Sequence, residues 1–239
     1  MWGLVIQEDL SVGAILRTLE EEGLADNTIV AYTSDHGDMM GAHGLVEKTL
    51  MYEESVRIPW LLRIPQMRGR GTVVGGYVSH ISLVPTLLEL MDSKAARSLP
   101  GRSLVPVISG GKSPREPVFI QWNPPPNVES FTKAAESRIA TPAEIDRVAR
   151  ERTRTVIAPD GWKLCVSDVD KSQLFDLKND PGETTNLFRS AAHQDVERRL
   201  QAEIGRWQRD ARDVIEASLG LRSVFGPKRS DRSSGETYM

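Results

Sequence analysis

The apolar run Thr28-Ile29-Val30-Ala31-Tyr32 leads directly into Thr33-Ser34-Asp35-His36-Gly37, and this junction constrains the chain more than any other stretch. A short β-branched, apolar run bounded by polar residues reads as a buried strand. An Asp-His pair leaving that strand into a glycine loop sets two metal-ligand side chains at the strand's C-terminal edge. In open α/β sheets ligands bind at that edge. Lys48, further along the same loop, suits an anion. A metal beside an anion-binding cation points to chemistry on a sulfate or phosphate ester.

Composition sets the outer bounds. At 239 residues the chain holds one large domain, or a domain and a small companion. Net charge is −3 with both signs interspersed, which gives no nucleic-acid surface. No apolar run approaches the roughly 20 residues of a spanning helix, so no membrane partner is expected. Cys165 is the only cysteine, which excludes an internal disulfide and a cysteine-based zinc site. A single cysteine and no signal-peptide pattern fit a reducing, cytoplasmic setting.

Periodicity predicts a helix over 3–22, with Val12, Ile15, Leu16 and Leu19 on one face and Gly23 beyond its end. Strands are predicted over 28–32 and 58–64, a short strand or strand-like approach over 73–78, and a buried helix over 81–91. Alternating strand and helix make this part α/β. A strand follows at 118–122. Thr141-Pro142-Ala143-Glu144 opens a helix to about Arg152. Strands at 155–158, 162–167 and 173–177 and a helix over 190–215 form a small antiparallel sheet with a helix across it. Trp162, Leu164 and Val166 are the expected buried face; Lys163, Cys165 and Ser167 are the expected exposed one. The implied division is 1–122, the α/β part; 123–153, a variable insertion; 154–225, a small α+β subdomain; and 226–239, a disordered polar tail.

Asp35 supplies a hard carboxylate ligand, or otherwise caps its loop. His36 beside it favours manganese, iron or zinc over a pure calcium cage, or otherwise packs to hold the loop. Lys48 is a compact point charge for an ester's oxygens. His43 reads as a second-shell or substrate-facing residue. His80 reads as a helix-end residue and His193 as a solvated one. Two ligands are too few for a divalent-metal site, so further donors must come from elsewhere.

The run from Thr33 to Leu45, continued by Lys48-Thr49-Leu50-Met51-Tyr52-Glu53-Glu54-Ser55-Val56-Arg57-Ile58-Pro59, resembles the sulfatase family of the alkaline-phosphatase-like superfamily. Val84-Pro85-Thr86-Leu87-Leu88-Glu89-Leu90, Pro100-Gly101-Arg102-Ser103-Leu104 and Leu174-Phe175-Asp176-Leu177 through Asn186-Leu187 resemble later landmarks of that family. The resemblance covers most of residues 4–210. It implies a partial alkaline-phosphatase-like mixed sheet with flanking helices, plus a small C-terminal antiparallel sheet and helix. It also implies Asp35 and His36 as metal ligands and Lys48 as the sulfate-binding catalytic lysine. The metal would be a divalent cation, calcium by family, with manganese or zinc suited to His36.

The departures carry equal weight. Family members build the rest of the site from an N-terminal half, with paired aspartates and a Cys-or-Ser-x-Pro-x-Arg segment whose first residue becomes formylglycine. Neither is expected here; Cys165 is followed by Val166-Ser167-Asp168, and Ser82 stands where many relatives have aspartate. The chain therefore reads as the C-terminal portion of a sulfuric ester hydrolase, inactive in isolation. Its partners would be a small-molecule sulfate or phosphonate ester and a missing N-terminal half, or further copies of itself. The alternatives are a phosphonate or phosphodiester hydrolase of the same superfamily and a non-catalytic remnant or partner subunit.

Overall fold

The apolar run before Asp35 does form a strand, β1 (Val30–Thr33), and it pairs with β2 (Trp60–Arg63). The computed structural model describes residues 2–213 apart from 49, 66, 68–70, 94–98, 125–140, 142, 144–146 and 148–149. The chain divides into two compact units, 1–75 and 76–239.

In the first unit β1 and β2 run antiparallel, with Tyr32 opposite Leu61 and Thr33 opposite Trp60. Helix α1 (Trp2–Glu21) lies along this ribbon. Tyr32 donates its hydroxyl to Glu8 at 3.1 Å, and Arg63 reaches Glu20 at 3.8 Å. The shared proton and the nearby Glu8 charge hold the Tyr32 hydroxyl above its ordinary pKa. Gly23, at φ +68, ends the helix as predicted: Leu24 N–H donates to the Leu19 carbonyl across it. Helix α2 (Glu53–Val56) closes the loop that precedes β2.

The second unit holds helices α3 (Leu83–Leu90) and α4 (Val105–Ile108), then a four-stranded antiparallel meander: β3 (Val118–Trp122), β4 (Thr153–Ile157), β5 (Trp162–Ser167) and β6 (Gln173–Asp176). Helix α5 (Gln194–Asp210) crosses it. Its core joins Val156, Leu164, Val166 and Leu174 to Leu200 and Ile204 of α5. Phe119 stacks on Trp207 at 5.3 Å. Each such fully buried side chain contributes about 1.5–3 kcal/mol. Strand 118–122, grouped by sequence with the preceding α/β part, thus belongs to the C-terminal sheet, because its Phe119 pairs with Val156 over the same core.

The motif from Leu174 to Leu187 is explained by hydrogen bonding. Asp176 accepts from the Lys178 and Asn179 amides and the Asn179 side chain, which holds its carboxyl below the ordinary range. Asp180 accepts from Thr184 and Thr185. The Asn186 amide accepts from Leu174 N–H and donates to Ser172, welding the loop to the β6 edge. These residues shape a corner.

Four expectations are corrected. Lys163, Cys165 and Ser167 are buried, not exposed. Leu164 and Val166 lie on the opposite face and are buried as expected, so β5 is covered on both sides. Lys163 tolerates burial because its ammonium meets Glu183 at 2.8 Å, a partner that alternation along β5 cannot reveal. No strand forms at 73–78: Gly75-Gly76 interrupts it, with Gly76 at φ +99, and Val73 is exposed. His193 is half-buried against Trp162 at 5.2 Å and is not solvated. Helix α5 also stops short of 215. Arg212, at φ +54, reverses the chain so that Asp213 accepts from Nε and Nη2 of the buried Arg154. Most of the helix predicted over 142–152, and the tail 226–239, lie outside the described residues.

Candidate metal and anion site

The loop after β1 is pinned at its neck. Gly37 N–H donates to the Ser55 carbonyl at 2.8 Å, and a Cβ on Gly37 would overlap the Glu54 carbonyl oxygen. Glycine is therefore required by close backbone approach at this position. Between Gly37 and α2 the chain folds back on itself. Met39 N–H donates to Glu47, Gly41 N–H to Leu45, and the Met39 side chain is buried.

Gly37→Ala is expected to open this neck while leaving the second unit intact. Overlap with backbone costs about 1–3 kcal/mol. Hydrogen exchange should accelerate at the Gly41 amide and at residues 37 and 39, with no change over 153–177. Unchanged protection at 37 and 39 would contradict the assigned packing.

Asp35 and His36 sit on the strand side of this neck, both exposed. The His36 N–H donates to Asp35 Oδ1 at 2.9 Å, and Ser34 Oγ lies 3.3 Å from the same oxygen. The backbone donor, first among these contacts, holds the Asp35 carboxyl below its ordinary range. Asp35 thus remains an anion through mildly acidic pH. The His36 ring is oriented by its Nδ1, 2.8 Å from the Gly37 carbonyl. A carbonyl only accepts, so Nδ1 carries the proton, and in that tautomer Nε2 is the nitrogen that can present a lone pair. Nε2 lies 3.4 Å from Asp35 Oδ2. A fixed tautomer with an adjacent carboxylate oxygen fits one edge of a divalent-metal site.

The donor set stops there. Among the described residues no group of three His, Cys, Asp or Glu side chains converges. Lys48 is exposed on the return of the same loop, directly after Glu47 at φ +68. His43, at φ +53, stacks on Tyr52 at 3.9 Å with its Nε2 3.9 Å from Glu54. The ring therefore braces the loop. The positive φ and the stack were not legible in the sequence.

The string Ser98-Leu99-Pro100-Gly101-Arg102 has the Ser-x-Pro-x-Arg spacing, which corrects the expectation that this spacing is absent. Ser98 lies outside the described residues. Its neighbours are held structurally: Arg102 pairs with Glu116, Arg102 N–H donates to Ser82, and Leu104 N–H donates to Thr86. Ser82 is thus a buried anchor for the 102–104 segment.

The geometry can be set beside known proteins. Residues 3–93 match the sulfatase family model. The N-acetylglucosamine-6-O-sulfatase of Bacteroides thetaiotaomicron is 28% identical over 212 residues, covering 87% of this chain and 35% of its own length. The sulfatase YidJ of Escherichia coli K12 is 33% identical over 193 residues, covering 80% and 34%. Among solved structures, the phosphonate monoester hydrolase SpPMH from Silicibacter pomeroyi superposes with a TM-score of 0.68 at 25% identity. That match covers 91% of this chain and 41% of the other. The fold is that of the alkaline-phosphatase-like superfamily. Residues 3–93 carry sulfatase-family sequence, and the resemblance read from Thr33 to Pro59 is to sulfatases. The chain spans about a third of the length of the curated relatives it matches.

Proposed function

We propose that this chain supplies part of the active centre of a metal-dependent sulfuric ester hydrolase. The observation that carries the reading is the paired presentation of His36 Nε2 and Asp35 Oδ2 on a loop whose neck admits only glycine. Asp35 and His36 would hold the divalent metal. When bound, the metal would polarise the ester's anionic oxygens and ease ionisation of a nucleophile. Lys48 would meet the charge that builds on those oxygens in the transition state. The remaining donors and the nucleophile would come from polypeptide beyond these 239 residues, since two donors do not complete a site.

Manganese tests the ligand pair directly. Paramagnetic broadening should concentrate on the amides of residues 34–37 and vanish in His36→Ala. Broadening spread over surface carboxylates, equal in both proteins, would reject the pair as a metal site. In parallel, the 239-residue chain should hydrolyse neither an aryl sulfate nor an aryl phosphonate above buffer, with or without metal. Metal-dependent turnover by this chain, lost in Ser98→Ala, would overturn the expectation that the nucleophile lies elsewhere.

A phosphonate ester is the second reading. Sulfate and phosphonate esters share a tetrahedral anionic centre, and the superposition on a phosphonate monoester hydrolase supports it. A complete enzyme assayed on both esters decides by the ratio of kcat/KM values.

A further inference from the structure

The first unit carries an apolar surface that its own chain does not cover. Helix α1 buries none of its described side chains. Val5, Val12 and Leu16 face the ribbon across an open cleft of about 410 Å³, opposite Val30, Leu61 and Leu62. Elsewhere on the helix Leu4, Ile6, Leu10 and Ile15 are each at least 60% exposed. A helix apolar on several faces is a buried helix in a finished fold. Among the described residues β1 and β2 pair only with each other, so the ribbon keeps two open edges. A two-stranded ribbon is marginal alone, and an open edge is a template for a further strand.

We propose that the α1–ribbon cleft and the exposed α1 side chains form a docking surface for an apolar, strand-forming polypeptide segment. The segment adds to an edge of the β1–β2 ribbon and fills the cleft, in the manner of strand addition. Its source is the remainder of a sulfatase-length polypeptide. The length argument supports this: relatives that align with 80–87% of this chain extend to nearly three times the aligned length. The incomplete metal edge lies on the loop that leaves β1 within the same unit. One partner would therefore cover the apolar surface and bring the absent donors. Its identity rests on the function proposed above; the surface itself rests on exposure alone.

The experiment mixes the full 239-residue chain with the part of Escherichia coli YidJ lying outside the aligned segment, made as a separate polypeptide. Sedimentation velocity should show a one-to-one complex, and hydrogen exchange should slow over 4–16 and 30–33. Ile6→Asp with Leu10→Asp should weaken association at least tenfold while exchange over 153–177 stays unchanged. His36→Ala should leave association unchanged. A complex without metal-dependent turnover would support the docking surface while defeating the proposed function. Absence of a complex would overturn the docking proposal. So would self-association of this chain that the same double variant abolishes, because a second copy would then be the occupant.

Discussion

Glu183→Ala is expected to lower the stability of the second unit by about 3–5 kcal/mol, the cost of stranding a buried charge. The Lys163 ammonium and the Glu183 carboxylate meet at 2.8 Å with side-chain exposures of 0% and 1%. Lys163 projects from the central strand β5 between Ile157 and Phe175 of the flanking strands, both buried. Removing the carboxylate deprives the desolvated ammonium of this ion pair, and water must enter or the strand must open. Replacing both partners together, Lys163→Met with Glu183→Leu, should recover most of the loss, because a paired ion's desolvation penalty disappears with the pair. Urea unfolding followed through exchange of the 162–166 amides measures this locally. A single-variant cost below about 1 kcal/mol would mean that water already reaches the pair.

This pair also shows where sequence reading stops. The strand at 162–167, its turn and the helix across it were legible because apolar spacing and Pro159-Asp160-Gly161 act locally. Ala158 N–H donates to Trp162 and Gly161 N–H to Ala158, closing the turn that those residues imply. Burial of Lys163 was not legible, since it depends on Glu183 arriving from another loop. The false strand at 73–78 has a related cause. Apolar residues stand at both ends of the run, but a glycine pair and the lack of a partner strand among the described residues outweigh them. In the candidate site, the motif pointed to Asp35, His36 and Lys48 as proposed ligands and anion contact, whereas the imidazole tautomer and the His43–Tyr52 stack follow from backbone geometry that no spacing encodes. The antiparallel pairing of β1 and β2 was equally hidden. The residues between them form a pinned loop ending in the short helix α2, not a long crossover helix, and a loop returns the chain antiparallel.

In an enzyme completed to the length of its relatives, changes at the loop should separate metal binding from turnover. Asp35→Ala and His36→Ala would remove the proposed ligands, so the metal concentration for half-maximal activity should rise by at least the 10–100-fold typical of losing a supporting group. Saturating metal should restore part of the activity. Lys48→Ala should leave metal affinity nearly unchanged and lower kcat by about 10²–10³, the scale of removing one preorganised contact to developing charge. The reason lies in placement. Lys48 stands on the return limb of a loop whose neck and hairpin are fixed by Gly37, Met39 and Gly41 backbone bonds, so under the proposed function its backbone would be held in place before substrate arrives. A point charge fixed in advance acts most where negative charge grows, and least on the ground-state ester. Lys48→Arg should therefore keep KM within a few-fold while recovering only part of kcat, because the guanidinium fork presents its charge farther along and in a plane. Steady-state kinetics against metal concentration reads both quantities at once. A Lys48→Ala enzyme with unchanged kcat and a raised KM would assign the lysine to substrate capture instead.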